Sequence, residues 1–333
     1  MNYKRRTIFY LILALLSTKF VFAQKNIDEL LKSSGFRSFC IQDTTTLTTK
    51  KDSIRFVISG NEQKPTIFFI QGSSTSPLFI ENEGELYYGL VDVAPTDVYE
   101  DYNIVIISKP SVPIVTKQNY VLSEKEKEIF DNCNLKDYYI SSLKQVYEYL
   151  RQNKLITESR NYLFGHSQGY GVVAKYATVY PNDFLKYICA SSSIYNVPAI
   201  RVNQITKKFL QETTDQTEEK QRLNKIYSDY ENMYEFSKDS SNKYYLYYKK
   251  DISFWEDLSI DYLLKISKPL LIVYGMNDAD ALDNRVLPIL FINKRKTNLS
   301  IFAYPDYDHN FNTINNEFHW HDVFRDVKNW IEE

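Results

Sequence analysis

Cysteine and histidine are scarce in this sequence, and their scarcity argues against several classes of protein. The 333 residues include three cysteines, an odd number that permits at most one internal disulfide, so a disulfide-rich scaffold is excluded. Four histidines without a close cluster of cysteine and histidine give a zinc site little support. The formal charge is −2, and no lysine- or arginine-rich run follows the N-terminus, so nucleic acid is not an expected partner.

The N-terminal segment is typical of an export signal. Positive residues come first, at Lys4, Arg5 and Arg6. Residues 8–16 then form an unbroken apolar run. An uncleaved membrane anchor is the alternative, but Lys19 interrupts the apolar stretch, which is shorter than the ~20 residues that span a bilayer.

Small residues follow the apolar run and mark a cleavage site. Val21 and Ala23 occupy the third and first positions before a cut that leaves Gln24 as the new N-terminus. We therefore predict a signal peptide over residues 1–23. The mature protein, residues 24–333, is expected to be exported, either periplasmic or secreted, with no stable membrane span after the signal is removed.

Short apolar runs alternate with amphipathic stretches through the rest of the chain, which predicts an α/β fold with a mainly parallel central sheet flanked by helices. Runs expected to form strands lie at residues 66–70, 104–107, 162–164, 187–191, 269–274 and 299–303. Residues 37–42 and 53–59 are expected to pair as a hairpin or as edge strands. Apolar residues at helical spacing predict helices over residues 140–150 and 172–180, and a closing helix over residues 318–331.

The segment of residues 194–266 interrupts this alternation. It is long, charged and rich in tyrosine, with a helical stretch at residues 216–233. We interpret it as a helical cap inserted over one end of the sheet. The alternative is a surface-exposed insertion that has no functional role.

The pentapeptide Gly165-His166-Ser167-Gln168-Gly169 lies between a predicted strand and a predicted helix. A strand-to-helix turn this tight brings together the residues two before and two after the serine, so both must be glycine. The serine then projects its hydroxyl from a strained backbone, and the helix N-terminus beneath it favours developing negative charge. This context indicates a nucleophilic serine rather than a plain glycine-rich turn.

With this motif the chain resembles the α/β-hydrolase superfamily over about residues 56–330. The resemblance implies an α/β-hydrolase domain over residues 24–333, with the cap inserted at about residues 194–266. It also implies a nucleophilic serine, an acid and a histidine in that chain order, here beginning with Ser167. No metal and no organic cofactor is implied.

Asp278 stands where the resemblance implies the acid, at the end of a turn directly after the predicted strand that follows the cap. Its role would be to accept the Nδ1 proton of the histidine, which fixes the tautomer and stabilises the imidazolium. Asp280 is close enough to be a rival. An ordinary turn aspartate is the alternative for Asp278.

His309 lies in the loop after the last predicted strand, in a sequence similar to the family's histidine loop. The resemblance implies that it is the general base. The other three histidines fit this place less well. His166 lies inside the serine turn and is expected to point elsewhere, while His319 and His321 belong to the predicted closing helix.

The resemblance also implies an oxyanion hole made of two backbone N–H groups. One is that of Gln168, directly after the nucleophile, and the other is that of Ser73 in the loop after the third strand. Gln71 stands where the family often has histidine, but backbone donation does not depend on that side chain. The hydroxyl of Ser74 is either a third contact or that of a simple turn serine.

These residues together imply acyl transfer through a covalent acyl-serine on a small-molecule acyl substrate. A carboxylic ester is the expected substrate. A peptidase or acyltransferase with the same residues is the first alternative, and a non-catalytic binding protein is the second. The polar, tyrosine-rich cap favours a soluble substrate over an emulsified lipid.

The signal peptide makes a prediction that is independent of the active site. Protein isolated from the native host should begin at or near Gln24, because the small residues before it suit signal cleavage. N-terminal sequencing or intact-mass measurement checks this. An intact Met1 on that protein would contradict it.

Overall fold

The computed structural model describes residues 27–48, 53–60, 64–89, 94–211, 216–242, 245, 249, 252–254 and 256–333. The predicted signal peptide and its cleavage site lie outside these residues. The strands are β1 (Phe36–Gln42), β2 (Ser53–Ser59), β3 (Thr66–Ile70), β4 (Phe79–Asn82), β5 (Glu85–Tyr88), β6 (Asn103–Ile107), β7 (Val115–Lys117), β8 (Asn161–His166), β9 (Lys186–Ala190), β10 (Leu270–Gly275) and β11 (Leu299–Tyr304).

Helices occupy both faces of the main sheet and the long connection between β9 and β10. They are α1 (Thr96–Asp101), α2 (Glu124–Cys133), α3 (Lys136–Gln152), α4 (Gln168–Val179), α5 (Val197–Gln211), α6 (Gln216–Phe236), α7 (Ser259–Leu263), α8 (Leu287–Asn293) and α9 (Trp320–Glu332).

The main sheet has eight strands in the order β1-β2-β6-β3-β8-β9-β10-β11. The pairs β1–β2 and β2–β6 are antiparallel, and every pair from β6 to β11 is parallel. The predicted hairpin, the mainly parallel sheet and the flanking helices are thus confirmed, and the chain has the α/β-hydrolase fold. Parallel strands end at one edge of the sheet, so the loops after β3, β8, β10 and β11 meet there.

The strands of the sheet centre are buried on both faces, which explains their unbroken apolar runs. In β3, Phe68 and Ile70 pack into the core on one face, while Ile67 and Phe69 pack into the core on the other. The first core is covered by α3 and α4, and the second by α9. The predicted positions of these strands hold because both faces are buried and apolar residues occupy most positions, while the buried polar residues Thr66, Asn103 and Asn161 stand at the strand starts.

A second, small sheet was not predicted. Its order is β5-β4-β7, with β4 and β5 joined as a hairpin and β4 parallel to β7. These strands are three or four residues long and contain charged residues. Strands of three or four residues are too short to give a periodic signal above that of an ordinary loop.

Helix α2 was also missed, although its start has a local signature. Ser123 accepts a hydrogen bond from the backbone N–H of Glu126, and the Glu126 carboxylate accepts one from the backbone N–H of Ser123 at 2.8 Å. This reciprocal capping box satisfies donors that the first turn of a helix leaves without partners. The motif Ser-x-x-Glu was therefore the available signal.

The connection between β9 and β10 carries α5, α6 and α7. Its helix α5 contacts the loop after β10, where Gln204 Nε2 donates to Asp280 Oδ1 at 2.5 Å and Lys207 Nζ donates to the carbonyl of Asn277 at 3.0 Å. A cap over residues 194–266 remains a prediction.

The described residues contain neither a disulfide bond nor a membrane-spanning helix. Cys40, Cys133 and Cys189 form no disulfide, and Cys189 is buried in the core as its apolar surroundings in the sequence predict. In the part of the chain that the structure describes, no helix combines the length and apolar character needed to cross a bilayer.

Candidate active site

The turn between β8 and α4 holds Ser167 in a strained backbone conformation. Its φ of 55° and ψ of −115° belong to a region that side-chain-bearing residues rarely adopt. Backbone bonds hold the turn in place, since Ser167 N–H donates to the carbonyl of Ala190 at 2.9 Å and its carbonyl accepts from Tyr170 N–H at 3.0 Å. The hydroxyl is thereby held above the start of α4.

Glycine is required on both sides of this turn because backbone approaches backbone there. A Cβ on Gly165 would lie 2.2 Å from the carbonyl oxygen of Gly169, and a Cβ on Gly169 would lie 2.2 Å from that of Ile70. Real side chains do not tolerate such distances. The steric reason for the Gly-x-Ser-x-Gly pattern is therefore present in this chain.

The loop after β11 positions His309. Asp308 Oδ1 accepts from the backbone N–H groups of Asn310 and Asn312 at 2.8 and 2.9 Å, which closes the loop around the histidine. Phe311 is fully buried, with its ring 4.8 Å from that of Trp320 at the start of α9. The loop is thus anchored on both sides of His309.

Asp278 is held in the turn that follows β10. Its backbone N–H donates to the carbonyl of Gly275 at 3.1 Å, and its Oδ1 accepts from the backbone N–H of Asp280 at 2.9 Å. The carboxylate is buried, and its Oδ2 faces Nδ1 of His309 at 2.9 Å. Asp280 Oδ2 lies 3.8 Å from the same nitrogen, so the nearer carboxylate belongs to Asp278.

The structure brings the three predicted residues into one hydrogen-bonded row. His309 Nε2 lies 2.9 Å from Ser167 Oγ, while Nδ1 lies 2.9 Å from Asp278 Oδ2. Burial alone lowers the pKa of His309, but the hydrogen bond to Asp278 and the charges of Asp278 and Asp280 outweigh it. The pKa therefore lies above its ordinary value of 6.5. A proton taken from Ser167 thus has a basic acceptor.

His166 has a structural contact that the sequence did not reveal. Its Nε2 donates to the backbone carbonyl of His309 at 2.9 Å, and its ring packs edge-on against Trp320 at 4.8 Å. Burial, together with the nearby charge of His309, lowers the pKa of His166 to about 4. The neutral ring therefore ties the serine turn to the histidine loop.

The loop after β3 packs directly against the nucleophile. A Cβ on Gly72 would lie 3.2 Å from the Cβ of Ser167, and Ser73 lines the same cleft as Ser167 and Gln168. Gln71 ties this loop to β6, since its Nε2 donates to the carbonyl of Ile107 at 2.9 Å.

Ser74 belongs to a turn within this loop. Its Oγ accepts from the backbone N–H of Ser76 at 3.0 Å and lies 2.6 Å from the Ser76 hydroxyl. These contacts favour a turn serine over a third contact in the oxyanion hole.

Gln168 is also held by its side chain, which the sequence did not predict. Lys109 Nζ donates to Gln168 Oε1 at 2.6 Å, and Lys109 is itself buried against the ring of Tyr139 at 4.3 Å. Gln168 begins α4, where backbone N–H groups have no partner within the helix. The backbone of Gln168 is thereby held beside Ser167.

A cleft of about 520 Å³ is lined by Ser167, Gln168 and His309. Most of its other lining side chains are polar, among them Asn134, Lys136, Ser192, Arg201, Gln204 and Ser259. Helices α3, α4 and α5 each contribute to these walls. Tyr195, Val197, Ile200 and Phe254 add apolar surface beside these groups, so the cleft suits a modest-sized molecule that carries both polar and apolar groups.

The possible ligand atoms of Asp278, Asp280 and His309 all lie within 4.8 Å of one another, close enough to share a metal ion. Within the described ranges, no other group of acidic, histidine or cysteine side chains does so. Both ring nitrogens of His309 already face hydrogen-bond partners, Asp278 and Ser167. A metal bound to His309 would have to displace one of them.

Comparison with known proteins places these features in a family. The model of the prolyl oligopeptidase family matches residues 132–333, which is more than half of the chain and includes Ser167, Asp278 and His309. No curated protein sequence matches the chain.

Solved structures with a similar fold include hydrolases of different sizes. Acylaminoacyl peptidase from Pyrococcus horikoshii aligns with a TM-score of 0.53 and 13% identity, covering 90% of this chain and 42% of that chain. A protein assigned as dipeptidyl aminopeptidase IV from Bacteroides ovatus aligns at 0.52 and 11%, covering 89% and 35%. A protein assigned as a dienelactone hydrolase from Klebsiella pneumoniae aligns at 0.52 and 11%, covering 90% and 99%.

At these identities the likeness shows the fold alone. The chain spans less than half of the length of the two peptidase structures, and nearly the whole length of the third.

The pKa values of the two histidines of the site should differ from that of an ordinary histidine in opposite directions. In an NMR titration of the imidazole signals, His309 should have a pKa above 6.5 and His166 one of about 4. Asp278→Asn should lower the pKa of His309 more than Asp280→Asn does, because Asp278 supplies both the hydrogen bond and the nearer charge. Equal effects of the two substitutions would contradict this.

Proposed function

The chain belongs to the prolyl oligopeptidase family and is a serine hydrolase with the α/β-hydrolase fold, and we propose that it cleaves carboxylic esters through an acyl-serine intermediate on Ser167. The observation that carries this proposal is the row of hydrogen bonds from Ser167 through His309 to Asp278. A serine in that arrangement gains a base at one side and keeps an open cleft at the other.

In the first half of the proposed reaction, His309 Nε2 takes the proton of Ser167 Oγ as the oxygen attacks the ester carbonyl carbon. The imidazolium that forms is stabilised by the buried carboxylate of Asp278. His309 then gives the proton to the departing alkoxide, which leaves as the alcohol. In the second half His309 deprotonates a water that attacks the acyl-serine carbonyl, and it then returns the proton to Ser167 Oγ as the acyl–oxygen bond breaks and the carboxylic acid leaves.

The negative charge on the attacked carbonyl oxygen needs donors in a fixed position. We assign these to the backbone N–H groups of Gln168 and Ser73, two residues that line the same cleft as Ser167. Fixed donors stabilise the oxyanion without reorganising during the reaction. The side-chain contacts of Gln168 with Lys109 and of Gln71 with Ile107 support this rigidity.

An ester rather than an amide is proposed because an alkoxide leaves more readily than an amine, so an ester is the less demanding substrate for this site. The polar lining of the cleft supports a soluble substrate over an emulsified lipid. A peptidase with the same residues is the second candidate, because the matched family is one of oligopeptidases. The choice concerns the leaving group, since both reactions share the acyl-serine.

Export and a cap are separate proposals. The basic and apolar residues of segment 1–23 support export of residues 24–333. The contacts of Gln204 and Lys207 with the loop that carries Asp278 support a cap formed by residues 194–266.

The mature protein should hydrolyse p-nitrophenyl esters of short acyl chains, and Ser167→Ala should lower kcat/KM by about 10³-fold or more. Ser241→Ala, which changes an exposed serine bonded to Asp239, serves as the matched control and should leave the rate unchanged. A parallel panel of aminoacyl and peptidyl p-nitroanilides tests the second candidate. Faster hydrolysis of the anilides, or equal ester rates in wild type and Ser167→Ala, would overturn the esterase proposal.

The two aspartates near His309 should differ sharply in their effect on turnover. Asp278→Asn should lower kcat by about 10⁴-fold, as loss of the orienting acid does in serine proteases, while Asp280→Asn should lower it less than about tenfold. In the wild type kcat/KM should fall as pH drops through the raised pKa of His309, because the base must be unprotonated. A larger loss for Asp280→Asn would reverse the assignment.

A further inference from the structure

One end of the cleft is built around a buried lysine. Lys136 is the first residue of α3, and its side chain is only 3% exposed, although it lines the same cleft as Ser167. Its Cε lies 3.7 Å from the position that a Cβ on Gly171 would occupy. Gly171 follows Ser167 by four residues in the first turn of α4, which at about 1.5 Å per residue places it about 6 Å further along the helix axis.

Lys136 therefore contacts α4 about one helical turn beyond the nucleophile, at a residue that has no side chain of its own. Ser259 reaches the same place, because its Oγ also lies 3.7 Å from the Cβ position of Gly171. A cation and a hydroxyl thus converge on the first turn of α4, in the cleft that Ser167 lines.

The carboxylates around Lys136 are bound more closely to another lysine. Asp257 Oδ2 lies 3.7 Å from Lys136 Nζ, beyond ordinary hydrogen-bond distance, but 2.7 Å from Lys175 Nζ. Lys175 also binds Asp137 at 2.8 Å. Burial lowers the pKa of Lys136 to about 8, although Asp257 opposes the shift. A buried ammonium in this position gains most from an anion at hydrogen-bond distance.

We propose that the Lys136 end of the cleft binds a free carboxylate on the acyl group, so that the substrates are monoesters of short dicarboxylic acids. This inference rests on the proposed ester hydrolysis at Ser167. A succinyl or glutaryl group spans one helical turn, with its ester carbonyl at Ser167 and its carboxylate at Lys136. Hydrolysis of such a monoester consumes one water and releases the alcohol and the diacid.

The charges of the cleft orient such a substrate. Asp280 lies beside His309 and repels an anion there, whereas Lys136 lies beside Gly171 and attracts one. An apolar acyl chain bound over Gly171 would supply Lys136 with no anion at hydrogen-bond distance. The acyl group, and not the alcohol, is therefore the part that carries the charge.

The test compares monoethyl glutarate with the ethyl ester of glutaric acid monoamide, which has nearly the same shape but no charge, by pH-stat titration of the released acid. The wild type should prefer the charged ester by about 10- to 100-fold in kcat/KM, as expected of a hydrogen bond to a charged group. Lys136→Met should bring this ratio close to one. Lys225→Met, on the exposed face of α6, is the control and should leave the ratio unchanged.

A binding measurement separates this inference from the proposed function. Glutarate should bind the Ser167→Ala protein in isothermal titration calorimetry and should bind the Ser167→Ala, Lys136→Met protein at least about tenfold more weakly. Esterase activity without preference for the charged ester, or glutarate affinity that does not change with Lys136, overturns the inference alone. Absence of ester hydrolysis with Lys136-dependent binding overturns only the esterase proposal.

The pH dependence of the ratio gives a test that needs no substitution. Deprotonation of Lys136 removes the cation, so the preference for the charged ester should decline as pH rises through about 8. The charged groups facing Lys136 are Asp257 and Asp137, which raise its pKa, and Lys175, which lowers it. A ratio that stays constant from pH 6.5 to 9.5 would contradict binding by Lys136.

Discussion

The strained backbone at Ser167 is the constraint around which the site is arranged. A strand that passes into a helix within one residue requires a left-handed φ at the serine and two glycines at its flanks. The strain persists because β8 and α4 are both packed into the core and because backbone bonds to Ala190 and Tyr170 hold the turn. The same geometry lifts the hydroxyl above the sheet edge, where the loops after the other parallel strands end.

Two histidines in contact show how strongly the surroundings decide the chemistry of identical side chains. The rings of His166 and His309 lie 5.2 Å apart, and their pKa values shift in opposite directions. His309 has two carboxylates near Nδ1, whereas His166 is enclosed by Trp320 and a backbone carbonyl. One ring is therefore basic enough to accept a proton, and the other stays neutral and acts as a spacer between two loops.

The row of Ser167, His309 and Asp278 bears on the type of reaction, whereas the walls of the cleft bear on the choice of substrate. Structures assigned as peptidases and as a dienelactone hydrolase share this fold, so the fold alone does not determine which bond is cleaved. In this chain the proposed selectivity rests on the polar groups of the cleft, a buried lysine beside the first turn of α4 and an acidic residue beside the histidine. These features lie mainly on α3, α5 and α4, whereas Asp278 and His309 lie on loops at other places in the sequence.

The sequence alone determined the elements whose stability is local or whose pattern is repetitive. Strands buried on both faces can be predicted from apolar runs. The turn at Ser167 can be predicted because only glycine fits at the two positions that flank it. Asp278 and His309 were found through chain order in a known fold, because nothing local distinguishes a functional aspartate from a turn aspartate. The tertiary structure decided what depends on distance: the nearer of two carboxylates to His309, the bond from His166 to the histidine loop, and the burial of Lys136 beside Gly171. Those contacts join residues that are far apart along the chain, and no periodicity or short motif encodes a separation in space.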